Sequence, residues 1–340
     1  MRALVLGSTG YTGMMLVRLL LEHPHITNLI PVSTSSAGRE VRSVDPGLAG
    51  SLGKMEATDG TYLPPDKIDP RETDIIFSAL PHKASAGVIG PLLGKRPVID
   101  LSADFRFRDA LEYERTYGPH PHPELLDGAV YGLTEWYRDQ IRKADIIACP
   151  GCYPTCTLLP LLPLAGELEG TIVVNALTGI SGAGRKEREN LLFNERSENV
   201  AAYSPGTTHR HVPEILQELR SAGLDHDLVF TPHLVPMKQG MLVTTVVKSS
   251  RLDAGEIRDA IGSAYRNSPF VGISARGLPE TRDVRNTNRC DIAVTDAGEQ
   301  ILLISVIDNL YKGAAGQAVQ NMNVRLGFPE AAGLRTHGEF

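Results

Sequence analysis

Arg2-Ala3-Leu4-Val5-Leu6-Gly7-Ser8-Thr9-Gly10-Tyr11-Thr12-Gly13 opens the chain, and its reading decides the fold of the first half. An aliphatic run suited to a buried strand meets a turn with glycines three residues apart. Leu16, Leu19 and Leu20 then share one face of a helix predicted over about residues 12–22. In such a strand–turn–helix the glycines let the backbone approach a ligand closely. The first N–H groups and positive dipole end of the helix face a pyrophosphate. Gly7, Ser8, Thr9, Gly10, Tyr11, Thr12 and Gly13 are therefore expected to bind a dinucleotide. The spacing departs from Gly-x-Gly-x-x-Gly, and a tight turn with no ligand is the plainer alternative.

Outward from this turn, β-branched runs alternate with helical patterns. Strands are predicted near 28–33, 75–80, 97–101 and 145–149, with a helix near 83–94. That rhythm implies a doubly wound parallel sheet of Rossmann type over residues 1–150, an α/β domain. Beyond it the strands lengthen, at 171–177, 241–247 and 301–307, and fewer helices separate them. A mixed-sheet α+β domain is expected over 151–312, carrying catalysis and oligomerisation. The helical segment 314–326 follows directly on the last strand, so 313–340 is expected to return and complete the first domain.

A length of 340 residues suits two domains, each with its own core. A net charge of -6 leaves no basic excess for a phosphate backbone, against nucleic-acid binding. The N-terminal segment lacks a signal-peptide pattern, and no apolar run approaches the roughly 18 residues of a membrane span. Four cysteines are too few for a disulfide scaffold and suit a reducing, cytoplasmic setting.

The kind of dinucleotide is read after the second strand, where an NAD enzyme carries an acid about 20 residues on. Here stands Ser33-Thr34-Ser35-Ser36-Ala37-Gly38-Arg39, with no acid between Glu22 and Glu40. Ser36 and Arg39 suit a ribose 2′-phosphate, so NADP(H) is expected. A solvated polar loop would look the same.

Cys149-Pro150-Gly151-Cys152-Tyr153-Pro154-Thr155 lies where a strand ends and a helix begins, with Pro154 suited to an early helical position. A thiol there meets unpaired N–H groups, which favour the thiolate, so Cys152 is the candidate nucleophile. Cys149, Cys156 and Cys290 read as packing residues. Zinc would need a second close pair, and a redox Cys-x-x-Cys would sit in a smaller domain. The acid–base partner is sought in His209-Arg210-His211-Val212-Pro213-Glu214, which opens a helix running to about 222. Glu214, three residues past His211 on the same face, can orient that imidazole; His209 is the alternative. His120-Pro121-His122-Pro123 lacks the companions of a metal site, and no metal is expected.

With these residues in hand, the chain resembles the N-acetyl-gamma-glutamyl-phosphate reductase family of arginine biosynthesis, relatives of aspartate-semialdehyde dehydrogenase and, more distantly, of glyceraldehyde-3-phosphate dehydrogenase. The likeness spans the chain. It rests on residues 7–13, Asp100-Leu101-Ser102-Ala103-Asp104-Phe105-Arg106, Tyr131-Gly132-Leu133-Thr134-Glu135 and Pro150-Gly151-Cys152-Tyr153-Pro154-Thr155. It continues through Gly179-Ile180-Ser181-Gly182-Ala183-Gly184-Arg185, residues 209–214 and Asn309-Leu310-Tyr311-Lys312-Gly313-Ala314-Ala315-Gly316-Gln317-Ala318. The resemblance implies NADPH-dependent reduction of N-acetylglutamyl phosphate through a thioester on Cys152, with His211 and Glu214 as acid–base pair. It implies that Ser181, Gly182, Ala183, Gly184, Asn309, Gly313 and Gln317 line the nicotinamide and that Ser102 and Arg106 hold the substrate phosphate. A small-molecule acyl phosphate and a homodimer or homotetramer follow. Cys149 departs from the Asn that commonly precedes Pro-Gly-Cys in the family. Aspartate-semialdehyde dehydrogenase, a carrier-protein-linked reductase and a non-catalytic NADP sensor are the competing readings.

Overall fold

A computed structural model describes residues 1–338 apart from 49, 51 and 95. Contacts divide the chain into residues 1–150 with 314–334, and residues 151–313 with 335–340. The end of the expected 313–340 segment thus clusters with the second unit, where the Arg335 carbonyl accepts the Asn288 N–H; residues 339 and 340 lie outside the described residues.

The first unit carries six strands: β1 (Arg2–Leu6), β2 (Asn28–Val32), β3 (Ile75–Ser78), β4 (Val98–Asp100), β5 (Ala129–Tyr131) and β6 (Ile146–Ala148). They pair in the order β2-β1-β3-β4-β6-β5, every pair parallel. Parallel sheets are covered on both faces, which is why β3 and β4 are buried at every position and read as plain apolar runs. The order steps one way from β1 to β2 and the other way from β1 to β3. Ligands of such sheets bind at that reversal, beyond the carboxyl ends of the strands. The glycine turn leaves β1 there.

Two helices differ from expectation. The helix expected over 83–94 ends at Ile89, and Gly90–Leu92 continues as a 3-10 turn, because Pro91 cannot extend an α-helix. The last helix begins only at Gly316, after a π-turn at Tyr311–Ala315, and ends at Leu326 with Gly327 left-handed at φ +73°.

The second unit holds β7 (Glu169–Gly179), β8 (Ala201–Ala202), β9 (Leu228–Val235), β10 (Met241–Lys248), β11 (Val271–Ile273), β12 (Cys290–Ala297) and β13 (Gln300–Ile307). They form one mixed sheet, β11-β12-β13-β10-β7-β9-β8. β10 alternates cleanly, with Met241, Val243, Thr245 and Val247 buried and Leu242, Thr244 and Val246 half-buried. The helices Cys152–Leu161 and Ala254–Ala264 pack on this sheet. The second begins with a capping box of Asp253 and Glu256, two reciprocal hydrogen bonds that satisfy orphan N–H groups.

Candidate active site

The glycine turn is built for close backbone approach. Gly7 has φ +75°, and a Cβ there would lie 2.6 Å from the Ala79 carbonyl oxygen; one on Gly13 would fall on the Gly7 carbonyl. The helix Tyr11–Glu22 starts from Gly10 without a side-chain cap, so its first N–H groups face outward from the turn. Beside them the Thr9 and Ser33 hydroxyls stand 3.3 Å apart. Ser36 is buried, with its N–H on the Ser33 hydroxyl, and Arg39 is exposed. Uncapped N–H groups, hydroxyls and an exposed guanidinium fit a phosphorylated dinucleotide. Ser8 is a correction: its N–H and its hydroxyl both donate to the Val32 carbonyl, so it braces the turn instead of offering a ligand contact.

Beyond β3 and β4 lies a buried polar network that sequence reading missed. Ser85 and Ser102 both donate to the Asp100 carboxylate, Ser102 at 2.6 Å. Asp104 accepts the N–H groups of Lys83 and Ala86 and the Tyr113 hydroxyl. Burial pushes the Asp100 carboxyl up to about 6, against the two serine hydrogen bonds that favour its charge. Ser102, expected on the substrate phosphate, is buried with its hydroxyl committed to Asp100, which corrects that assignment. Arg106 is buried too, its guanidinium donating to the Cys149 carbonyl at 2.7 Å and the Leu101 carbonyl at 3.0 Å. His120 is a packing residue, hydrogen-bonded to the Asp104 carbonyl. Gln317 is buried, and its amide nitrogen ties Gly132 and Thr134 together inside the first unit.

In the second unit Cys152 is the first residue of its helix and half-buried, with extended Gly151 as the cap. One turn on, Cys156 is fully buried against Ser305, and burial pushes its thiol up to about 12; it is a packing thiol. The His211 ring lies on Gly151 so closely that a Cβ there would be 2.5 Å from Nε2. Glu214, 0% exposed, accepts the Gly151 N–H at 2.9 Å. Sequence spacing aimed Glu214 at His211; one of its oxygens meets the backbone beside the cysteine. His209 sits behind, in edge contact with Tyr153, Tyr203 and His211. Its Nδ1 accepts the His211 N–H, and burial, helped by Arg210, lowers its pKa to about 4. The Tyr153 and Tyr203 hydroxyls pair at 2.9 Å. Ser181, Gly182 and Ala183 form a 3-10 turn after β7, followed by Gly184 at φ +83°. Asn309 joins this turn by donating to Ser181 at 3.0 Å, while its carbonyl takes the Gly240 N–H. Gly313, expected at the nicotinamide, abuts Cys152.

Both units match models of the semialdehyde dehydrogenases: residues 2–144 the NAD binding domain and residues 152–309 the dimerisation domain. The fold is shared with aspartate semialdehyde dehydrogenase II from Vibrio cholerae complexed with ASA, at TM-score 0.71 and 18% identity over 96% of this chain and 98% of that one. It is shared too with aspartate semialdehyde dehydrogenase with NADP from Candida albicans, at TM-score 0.65 and 15% identity over 95% and 97%. N-acetyl-gamma-glutamyl-phosphate reductases are nearer in sequence. That of Geobacter metallireducens is 44% identical over 97% of this chain and 96% of its own, and that of Pseudomonas fluorescens 45% over 98% of each. The chain belongs to the semialdehyde dehydrogenase family of oxidoreductases and, within it, to the N-acetyl-gamma-glutamyl-phosphate reductases.

Proposed function

We propose that the chain reduces N-acetyl-L-glutamyl 5-phosphate to N-acetyl-L-glutamate 5-semialdehyde with NADPH, releasing inorganic phosphate, as a step of arginine biosynthesis. The observation that carries the reading is the Cys152 helix start, with the His211 ring on Gly151 and the buried Glu214 on the Gly151 N–H. Cys152 gives its proton to His211, and its sulfur attacks the acyl carbon. The N–H groups of Cys152 and Tyr153, at the start of the helix, steady the oxyanion. The bond to phosphate then breaks, inorganic phosphate departs, and a thioester remains on Cys152. NADPH, when bound, supplies the hydride that reduces this thioester. His211 protonates the resulting oxyanion and takes the proton back as the carbon–sulfur bond breaks, which frees the aldehyde and the thiolate. His209, held neutral down to about pH 4, is better suited to supporting His211 than to replacing it.

Toward the cofactor, the N–H groups of Tyr11, Thr12 and Gly13 suit the pyrophosphate. Thr9, Ser36 and Arg39 suit the ribose and its 2′-phosphate, and the joined pair of Ser181 and Asn309 suits the nicotinamide amide. We also assign a second copy of the chain to the half-exposed face of the second sheet. There Val229, Val173, Val246 and Leu302 stand in one row across four strands, beside Leu177 and Leu242. The expected outcome is a dimer or tetramer in sedimentation equilibrium; a monomer at micromolar concentration contradicts it.

The activity is tested by phosphate-dependent reduction of NADP with N-acetylglutamate semialdehyde beside aspartate semialdehyde. A rate with the first at least about tenfold above the second is expected, because a site shaped for the longer acetylated substrate leaves polar groups unpaired with the shorter one. Equal rates, or none, contradict the reading.

A further inference from the structure

The thioester chemistry needs the Cys152 sulfur in one place, and the second unit contains a stop that restricts where it can lie. Tyr311–Ala315 forms a single π-turn, in which the Gly313 N–H donates to the Asp308 carbonyl at 3.0 Å, five residues back. Isolated π-turns are rare and gather at functional sites. This one sets Gly313 against the nucleophile. A Cβ on Gly313 would lie 2.7 Å from the Cys152 Cβ, 3.2 Å from its Cα and 3.3 Å from Ile307 Cδ1. Gly313 is not among the residues with positive φ, so its backbone does not demand glycine. The contact does.

The turn is held from behind. One oxygen of the buried Asp308 accepts the N–H groups of Leu310 at 2.9 Å and Tyr311 at 3.1 Å. The other accepts the Asn286 N–H at 2.7 Å and the Gln239 amide. Lys312 is wholly buried, its Nζ 5.9 Å from the centre of the Phe270 ring. A turn anchored at so many points has little freedom to retreat from Cys152. The residue before the cysteine, Gly151, is fixed by the His211 ring and Glu214.

We propose that Gly313 is a positioning residue for the nucleophile: the turn 308–313 abuts the Cys152 Cβ and sets where its sulfur stands. The proposal rests on Cys152 being the residue that is acylated. It predicts that Gly313→Ala, by forcing the helix start and the turn apart, slows acylation while leaving the glycine turn of the first unit untouched.

The readout is the burst of phosphate released when the full-length enzyme is mixed with N-acetylglutamyl phosphate in the absence of NADPH. In Gly313→Ala the burst rate should fall roughly 10- to 100-fold, the scale of an ångström misplacement. NADPH affinity, followed by its fluorescence, should stay within about twofold of the parent. Adding Ile307→Val, which removes the Cδ1 behind the turn, should recover part of the burst. Gly272→Ala, whose Cβ would meet nothing within 4 Å, should burst as the parent does. A burst at the parent rate in Gly313→Ala overturns the proposal. So does a loss of NADPH affinity in step with the burst, or a double variant no faster than the single one. Absence of a burst in the parent itself would instead refute the thioester reading on which the proposal stands.

Discussion

The helix Tyr11–Glu22 and the helix Cys152–Leu161 both start from an extended glycine, Gly10 at φ −73°, ψ 164° and Gly151 at φ −65°, ψ 156°, and neither has a side-chain cap. Each presents the N–H groups of its first turn and a positive dipole end. Their surroundings differ. The first is ringed by the Thr9 and Ser33 hydroxyls and has no acid in its first turn, a setting that holds an anion brought from outside. The second carries the Cys152 side chain at its first position, the buried Glu214 side chain on the Gly151 N–H and an imidazole packed on the same glycine. On the proposed function the same backbone device binds in one unit and reacts in the other, and the neighbouring side chains are what distinguish them.

Replacing Cys152 by Ser strikes the second helix start alone. Turnover should fall by more than about 10³-fold, the scale of losing a covalent nucleophile, with NADPH affinity unchanged in a fluorescence titration. Substantial reductase activity in that variant would erase the distinction between the two starts. His211→Asn should cost roughly 10²- to 10⁴-fold in turnover, measured by steady-state NADPH oxidation; a larger loss in His209→Asn would exchange their roles. Gly13→Ala strikes the first start, where a Cβ would fall on the Gly7 carbonyl. It should weaken NADPH binding at least about tenfold yet leave the phosphate burst from Cys152 intact. The smallest effect concerns Asp100, whose carboxyl burial pushes above the usual carboxylate range, to about 6. Because its pKa is raised by folding, its contribution to stability is full below about pH 4 and is lost as pH rises through 6. Asp100→Asn keeps an acceptor for the serines and removes that loss. Urea unfolding should therefore show the variant gaining on the parent from pH 4 to 7, and a pH-independent difference would contradict the buried charge.

Much of this site was legible because its backbone demands particular residues. Gly7 needs positive φ, Gly13 needs the absence of a Cβ, and Cys152 stands where an aliphatic strand gives way to a helix. What stayed hidden is set by partners far along the chain. Ser8, Ser102 and Gln317 look like ligand-binding polar residues, yet their hydrogen bonds go to Val32, Asp100, Gly132 and Thr134. β9 escaped notice because Pro232 and His233 interrupt its apolar pattern, although it pairs with β7 along its whole length. The contact between Gly313 and Cys152 has no signature in either motif, since it joins the two ends of the second unit.

An acyl group carried by Cys152 is the direct mark of the proposed thioester route. Mixing the enzyme with N-acetylglutamyl phosphate without NADPH, quenching in acid and mapping the protein by mass spectrometry should find one N-acetylglutamyl group per chain. It should lie on the peptide containing Cys152, be released by hydroxylamine and be absent from Cys152→Ser. An unmodified Cys152 in an enzyme that nonetheless turns over, or acylation elsewhere in the chain, would contradict it.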